Sequence, residues 1–237
     1  MASNFTKEEL IRYNRQMMLP GIGMQGQEKI KAAKVLVTGA GGLGCPVLQY
    51  LCVAGIGTIG IVDFDVVELH NLHRQILYTA ADLGKPKALI AAEALKKLNP
   101  YVQFRIFNEM LNETNAETII KEFDVVVDGS DNFLTRYTVN DACVKLNVPI
   151  VYGSILGFEG QFAVFNYKNG KNLRDLFPEP PNAEDVPNCD ENGVLGTLPG
   201  IIASMMAHET LKLVIGIAVS KKLVIFDTAN WNFTAVE

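Results

Sequence analysis

Lys34–Thr38 reads KVLVT, a short apolar run that passes straight into Gly39-Ala40-Gly41-Gly42-Leu43-Gly44 and then into a helix-period stretch, Gly42–Ala54. A strand, then G-x-G-x-x-G, then a helix is the context in which that glycine spacing carries meaning. The glycines allow a tight turn, and they let bare backbone N–H groups approach a phosphate at the positive end of the helix. A second apolar run, Thr58–Val62 (TIGIV), ends at Asp63, which lies 63 − 44 = 19 residues beyond Gly44. A carboxylate there is placed to hydrogen-bond a ribose hydroxyl. A tight glycine turn without a ligand is the plain alternative, but motif, context and acid together favour a nucleotide. They do not say which one.

The same rhythm continues outward. Val102–Phe107, Asp124–Val127 and Pro149–Tyr152 are further apolar runs, and the helical stretches Lys85–Leu98, Thr114–Lys121 and Asn132–Leu146 alternate with them. Continuously apolar strands alternating with helices predict an α/β fold: a Rossmann-like, mostly parallel sheet with helices on both faces. Upstream, Thr6-Lys7-Glu8-Glu9 has the form of a capping box opening a helix that carries Leu10, Ile11, Met17 and Met18. A second helix is expected over Gln25–Ala33. Past Gly153 the pattern changes. Gly160–Tyr167 alternates like an antiparallel strand, a polar, Pro-rich loop runs from Lys168 to Thr197, and Leu198–Gly216 reads as a long helix. Leu223–Asp227 and Asn232–Val236 read as a closing hairpin. The expectation is one domain over 1–237, with N-terminal helices at 6–33, a nucleotide-binding core at 34–153 and a closing portion at 154–237. The long loop exceeds what a compact domain carries idle, which points to a function for it.

Composition removes other classes. The 237 residues include 21 Lys plus Arg and 26 Asp plus Glu, a net charge of −5, and 49% are hydrophobic. The acidic balance opposes a general nucleic-acid surface, and the apolar content opposes wholesale disorder. Cys45, Cys52, Cys143 and Cys189 are too few and too scattered for a disulfide framework or a zinc pair. The charged start, MASNFTKEELIRYNRQ, lacks an apolar segment and is not expected to act as a signal peptide. The most apolar stretch, Leu198–Val219, is broken by His208, Glu209 and Lys212, so it is expected to be a buried helix rather than a membrane span. A cytoplasmic location is expected.

A nicotinamide dehydrogenase is the usual reading of the glycine fingerprint, and the residues after the second strand argue against it. Asp63-Phe64-Asp65 leads into an insertion, Glu68-Leu69-His70-Asn71-Leu72-His73-Arg74-Gln75, that brings Arg74 to the carboxyl ends of the strands. Lys85 and Lys87 then open the next helix. Cations in a helix's first turn oppose its dipole, so an anion is expected in front of them; solvated surface charge is the bland alternative. Several cations near one nucleotide suit a triphosphate under attack better than a pyrophosphate merely held. Asp131, in Asp128-Gly129-Ser130-Asp131-Asn132, follows the fourth strand at the same crevice. Both an N-cap and a Mg²⁺ ligand are open to it.

Taken together, the chain resembles the adenylating-enzyme family of MoeB, ThiF and HesA, relatives of the ubiquitin-activating enzymes. The resemblance spans nearly the whole chain. It rests on RYNRQ at Arg12–Gln16, GAGGLG at Gly39–Gly44, DFD at Asp63–Asp65, NLHRQ at Asn71–Gln75, GKPK at Gly84–Lys87 and SDN at Ser130–Asn132, then EGQ at Glu159–Gln161 and GVLG at Gly193–Gly196. The family implies ATP–Mg bound at Gly39, Gly41, Gly42 and Gly44. The C-terminal carboxylate of a small ubiquitin-like sulfur-carrier protein ending in Gly-Gly attacks the α-phosphate. Carried over by position, Asp63 and Asp65 hold the ribose; Asn71, Arg74 and Lys87 contact phosphates with Gln75 close by; Asp131 binds Mg²⁺. Arg15 matches an arginine that such enzymes insert from the partner subunit, which implies a homodimer.

Two departures stand out. Many relatives hold zinc with two CxxC pairs. Here Gly170–Asp175 contains no cysteine and the sequence stops at Glu237 before a second pair, so no zinc is expected. His73 stands where relatives carry Gln or Asn. Cys189, in the polar part of the long loop, matches a cysteine that some relatives link covalently to the carrier, while Asp190 and Glu191 beside it would raise its pKa. His208-Glu209 lacks a second histidine or a metal spacing and reads as packing. The competing functions are a nicotinamide oxidoreductase, a non-catalytic nucleotide-binding partner, and adenylation of another peptide or of tRNA. Thiamin and molybdopterin pathways both stay open.

Overall fold

The computed structural model describes residues 5–181 and 193–237. Helices α1 (Lys7–Met17) and α2 (Gly23–Ala32) precede an alternating core: β1 (Lys34–Thr38), α3 (Gly44–Ala54), β2 (Thr58–Val62), α4 (Lys87–Leu98), β3 (Gln103–Phe107), α5 (Ala116–Ile120), β4 (Val125–Asp128), α6 (Phe133–Leu146) and β5 (Ile150–Leu156). Then come β6 (Glu159–Phe165), a short α7 (Leu173–Leu176), the long α8 (Thr197–Ile215), β7 (Leu223–Asp227) and β8 (Asn232–Val236). Two single 3₁₀ turns, Leu69–Asn71 and Ala80–Asp82, lie in the insertion between β2 and α4.

The eight strands form one sheet in the order β3-β2-β1-β4-β5-β6-β7-β8. The pairs from β3 to β5 are parallel, and β5·β6, β6·β7 and β7·β8 are antiparallel. Alternation along each strand sends side chains to two cores. Val35 and Val37 of β1, Val125 and Val127 of β4, and Val151 of β5 pack with α3, α4 and α8 on one face. Leu36, Val126, Ile150 and Tyr152 pack with α5 and α6 on the other. That is the two-sided burial expected of strands with no polar alternation.

Helix α8 is long and apolar enough by composition to cross a membrane. It packs instead against α3, β5 and β6, burying Leu198, Ile202, Ala203 and Met206. At the chain's start, Glu9 N donates to Thr6 Oγ1 (3.2 Å) and Thr6 N donates to Glu9 Oε2 (2.8 Å), closing the capping box. Two departures from the sequence reading are the helix Leu173–Leu176, capped by Asn172 inside the stretch read as loop, and β5. The strand continues through Gly153 and Ser154 to Leu156, because the hairpin with β6 supplies cross-strand hydrogen bonds where the apolar run has ended. It therefore crosses the expected division at 153/154.

Candidate active site

Strand order reverses between β1 and β4, the point at which open α/β sheets hold ligands beyond their carboxyl ends. Gly39 leaves β1 there with φ of 87°, a conformation that disfavours any side chain. A Cβ on it would also come within 3.0 Å of Gly129 O, at the exit of β4. Gly44 opens α3 so close to the carbonyl of Gly39 that a Cβ would overlap it. The turn is tied down from below. Ala40 N donates to Asp63 Oδ2 (2.7 Å), Asp65 N donates to Asp63 Oδ1 (2.8 Å), and the Tyr78 hydroxyl donates to Ala40 O (2.7 Å). Burial raises the Asp63 carboxyl above its ordinary value, while Ala40 N–H and Lys87 draw it back. Cys45, 3.1 Å from Ala40 O, is wholly buried, and burial pushes its thiol up to about 12.

The insertion after β2 folds back over this turn. Gln75 Nε2 would lie 3.6 Å from a Cβ on Gly41, and Arg74 Cδ 3.7 Å from one on Gly42; Pro199, at the start of α8, closes the same glycine at 3.4 Å. Arg74 Nη1 donates to His70 O (3.0 Å), which bends the arginine along its own turn. His73 supports α8 through its carbonyl, against which Gly196 packs too closely for a Cβ. Asn71 is buried and its Oδ1 accepts from Glu68 N (3.1 Å). Gln75 is 3% exposed, and its Oε1 accepts no hydrogen bond among the described residues. Such an orphaned acceptor costs about 1–3 kcal/mol, a cost that a ligand donor would offset. The glycine cradle, with the Gln75 Nε2 donor and Arg74 beside it, fits a phosphate-bearing nucleotide.

Lys87, 5% exposed, is the first residue of α4, and its Nζ donates to Asp65 Oδ2 (2.9 Å). An unbroken chain thus runs from Ala40 through Asp63 and Asp65 to Lys87. The anion expected before the first turn of α4 is, in the protein itself, Asp65. Lys85 departs from expectation: its Nζ pairs with Asp82 Oδ1 (3.2 Å) on the outer side of the insertion.

At the exit of β4, Asp131 is exposed, alone among residues 128–132. It is not the N-cap of α6. Asn132 takes that place, its Oδ1 accepting from Thr135 N (2.9 Å), because Asn132 is the residue in extended conformation directly before the helix. Asp131 is therefore left facing outward. Among the described residues no three His, Cys, Asp or Glu side chains converge, so a cation at Asp131 would have at most two such protein ligands and would complete its shell with phosphates and water. That suits Mg²⁺.

Sequence reasoning missed Arg136. It is 7% exposed and reaches Ser130 O (2.7 Å), Gly153 O (3.2 Å) and Asp128 Oδ2 (3.5 Å). Its one signal was a basic residue four places after the Asn that begins α6. Arg15 lies elsewhere, exposed in the last turn of α1. Gln16 Nε2 donates to Ala54 O (2.8 Å) and Arg12 Nη1 to Leu98 O (2.9 Å), so α1 packs on the C-terminal ends of α3 and α4. The glycine turn is at the opposite end of α3, and a helix of 11 residues spans about 16 Å. Cys189 lies outside the described residues.

The ThiF family's sequence profile matches residues 13–237, nearly all of the chain. The chain belongs to the ThiF family. It is 50% identical over 236 residues to the sulfur carrier protein adenylyltransferase of Thermus thermophilus, covering 97% of this chain and 87% of that protein. It is 47% identical over 237 residues to the adenylyltransferase and sulfurtransferase MOCS3 of Xenopus laevis, and there it spans only 52% of the relative's length. Among solved structures, Escherichia coli MccB superposes with a TM-score of 0.84 at 19% identity, covering 99% of this chain and 71% of that one, a likeness of fold. Membership of the ThiF family sets the nicotinamide reading of the glycine turn aside.

Proposed function

We propose that this chain adenylates the C-terminal Gly-Gly carboxylate of a small ubiquitin-like sulfur-carrier protein. The observation that carries the reading is the folding of Arg74 and of the Gln75 amide donor onto Gly41 and Gly42, at the point where phosphates would lie. The names of the relatives support the carrier as substrate. In the reaction a carboxylate oxygen attacks the α-phosphorus, the bond from α-phosphorus to the bridging oxygen breaks, and pyrophosphate leaves with that electron pair.

The chain's own residues contribute charge and position. The backbone N–H groups of Gly41 and Gly42 would face the phosphates, those of Gly39 and Ala40 being held by Val62 O and Asp63. Asp63 and Asp65 stand at the end of β2, where a ribose sits in this fold class. Arg74 and Lys87 would neutralise charge as it gathers on the departing pyrophosphate, and Asn71 would donate an amide hydrogen bond to it. Magnesium, held by Asp131, would supply further charge stabilisation on the same oxygens. Arg15, remote from the site of its own chain, would act in the site of a second copy, a role suited to a guanidinium that meets phosphate oxygens in pairs. The carrier's tail would lie extended in the crevice beside the long loop and the Gly153–Gln161 segment. Cys189 would accept the activated acyl group, its thiolate attacking the carbonyl carbon and releasing AMP.

Pyrophosphate exchange into ATP, measured with a Gly-Gly-terminated carrier, tests the reading. Exchange that requires the carrier and collapses in Arg74→Ala and Asp131→Ala is expected. Exchange unaffected in both variants would overturn the site assignment, and melting temperatures raised by NAD rather than by ATP–Mg would overturn the reaction. For Cys189, a carrier adduct cleaved by hydroxylamine should disappear in Cys189→Ala.

A further inference from the structure

Residues 128–132 do not simply link β4 to α6. They wrap around a buried ion pair. Asp128 is 2% exposed, and its Oδ1 accepts from Thr38 Oγ1 (3.0 Å), Ser130 N (3.0 Å) and Ser130 Oγ (2.6 Å). Its other oxygen faces Arg136 Nε at 3.5 Å. The guanidinium returns to the same loop: Nη2 donates to Ser130 O (2.7 Å) and to Gly153 O (3.2 Å). Nη1 reaches the hydroxyls of Ser154 (3.3 Å) and Tyr152 (3.5 Å), and the group lies 4.9 Å from the centre of the Tyr152 ring.

The two halves of the pair therefore hold the two peptide groups that flank Ser130. Asp128 fixes its N–H, and Arg136 fixes its carbonyl. That carbonyl belongs to the peptide leading into Asp131, so its direction sets where the Asp131 Cα stands and where its carboxylate can point. Through Gly153 O the same guanidinium ties the loop to β5. Only Asp131 in this loop is exposed, while its neighbours are used internally.

Burying a charge is costly unless it is paired and hydrogen-bonded. A loop that needed only to close could have been made with apolar residues. A planar guanidinium can donate to two carbonyls and two hydroxyls at fixed angles while its charge stays beside the Asp128 carboxylate, and an ammonium cannot. Partners one shell out from a metal ligand commonly change metal affinity by about 10–100-fold when removed.

We infer that Arg136 is a positioning residue which, by holding the carbonyls of Ser130 and Gly153, aims Asp131 at the cation of the bound nucleotide. The inference rests on the reading of Asp131 as the magnesium ligand. Its test therefore measures that reading separately.

Calorimetric titration of the full chain with ATP, in EDTA and in Mg²⁺, gives the gain in affinity due to magnesium. Melting temperature reports the fold. Arg136→Lys is expected to bind ATP in EDTA within about twofold of wild type and to lose about tenfold of the magnesium-dependent gain. Asp131→Asn should lose the same gain. A full gain retained in folded Arg136→Lys while Asp131→Asn loses it overturns the inference alone. A full gain in both variants overturns the Asp131 assignment and this inference with it. Should Arg136→Lys not fold, Ser154→Ala removes one acceptor of the guanidinium and keeps the rest; it should lower the gain by less than Asp131→Asn does, and an unchanged gain in that variant overturns the proposal.

Discussion

Gly44 and Gly41 stand three residues apart in one turn, and a methyl group has opposite consequences at each. On Gly44 a Cβ would overlap the carbonyl of Gly39, so the backbone must shift. Gly44→Ala should cost about 2–4 kcal/mol, within the range of severe overpacking. On Gly41 the nearest neighbour is Gln75 Nε2 at 3.6 Å, an ordinary contact. Gly41→Ala should leave unfolding within about 0.5 kcal/mol of wild type and still weaken ATP binding, because the methyl occupies the approach to the turn's N–H groups. Urea unfolding and ATP titration on both variants separate the two effects. Loss of stability in Gly41→Ala with ATP binding intact would contradict the assignment. Asp63 offers a pH test. Burial raises its carboxyl in the fold above the value in the unfolded chain, so its contribution to stability is present at low pH and lost as pH rises through the raised value. Asp63→Asn cannot titrate. The stability of wild type minus that of the variant should therefore fall as pH increases across that window, and a difference that rises would overturn the raised value.

Helix α1 is held by its cap at one end and by the ends of α3 and α4 along its length. Thr6→Ala removes the acceptor for Glu9 N and should cost about 1 kcal/mol, a typical value for a lost N-cap. The same variant should bind ATP as wild type does, since α1 sits at the far end of α3 from the glycine turn. Thermal unfolding with and without ATP checks both halves of this statement, and a weakened ATP affinity would place α1 nearer the site than its hydrogen bonds do. Elements such as this were legible in the sequence because their signals are local: a Ser/Thr-x-x-Glu box, an apolar run ending in glycines, a helix period. β5 was read four residues short because Gly153 and Ser154 end its apolar run, and what prolongs it is pairing with β6, a contact no local window contains. The site divided along the same line. Gly39–Gly44, Arg74 and Asp131 announced themselves by position in a motif. The Asp65–Lys87 pair and the Asp128–Arg136 pair did not, since each joins residues from different elements through folding. Asn132 displaced Asp131 as the cap because capping is decided by one residue's backbone angle, which residue type only biases.

Considered as a whole, the molecule has its charge chemistry at one end of the sheet and Arg15 at the other. A single copy cannot bring Arg15 to its own glycine turn without dismantling the packing of α1 on Ala54 and Leu98. If the arginine takes part in the reaction, it does so across an interface, and a closed pair then contains two sites, each built from both copies. This arrangement has a consequence that no single-chain scheme shares. Arg15→Ala spoils only the partner's site, and Asp131→Asn spoils only its own. Each variant alone should exchange pyrophosphate poorly. When they are mixed one to one and allowed to re-pair, half of the dimers are mixed. In each of those, the site with an intact Asp131 receives an intact Arg15. One of its two sites is whole and the other is doubly damaged, so exchange should recover to about one quarter of the wild-type rate. Recovery that grows as the subunits re-pair, read against separately assayed variants, marks Arg15 as acting in trans. A mixture no faster than the mean of the two variants would mean that Arg15 does not act across the interface.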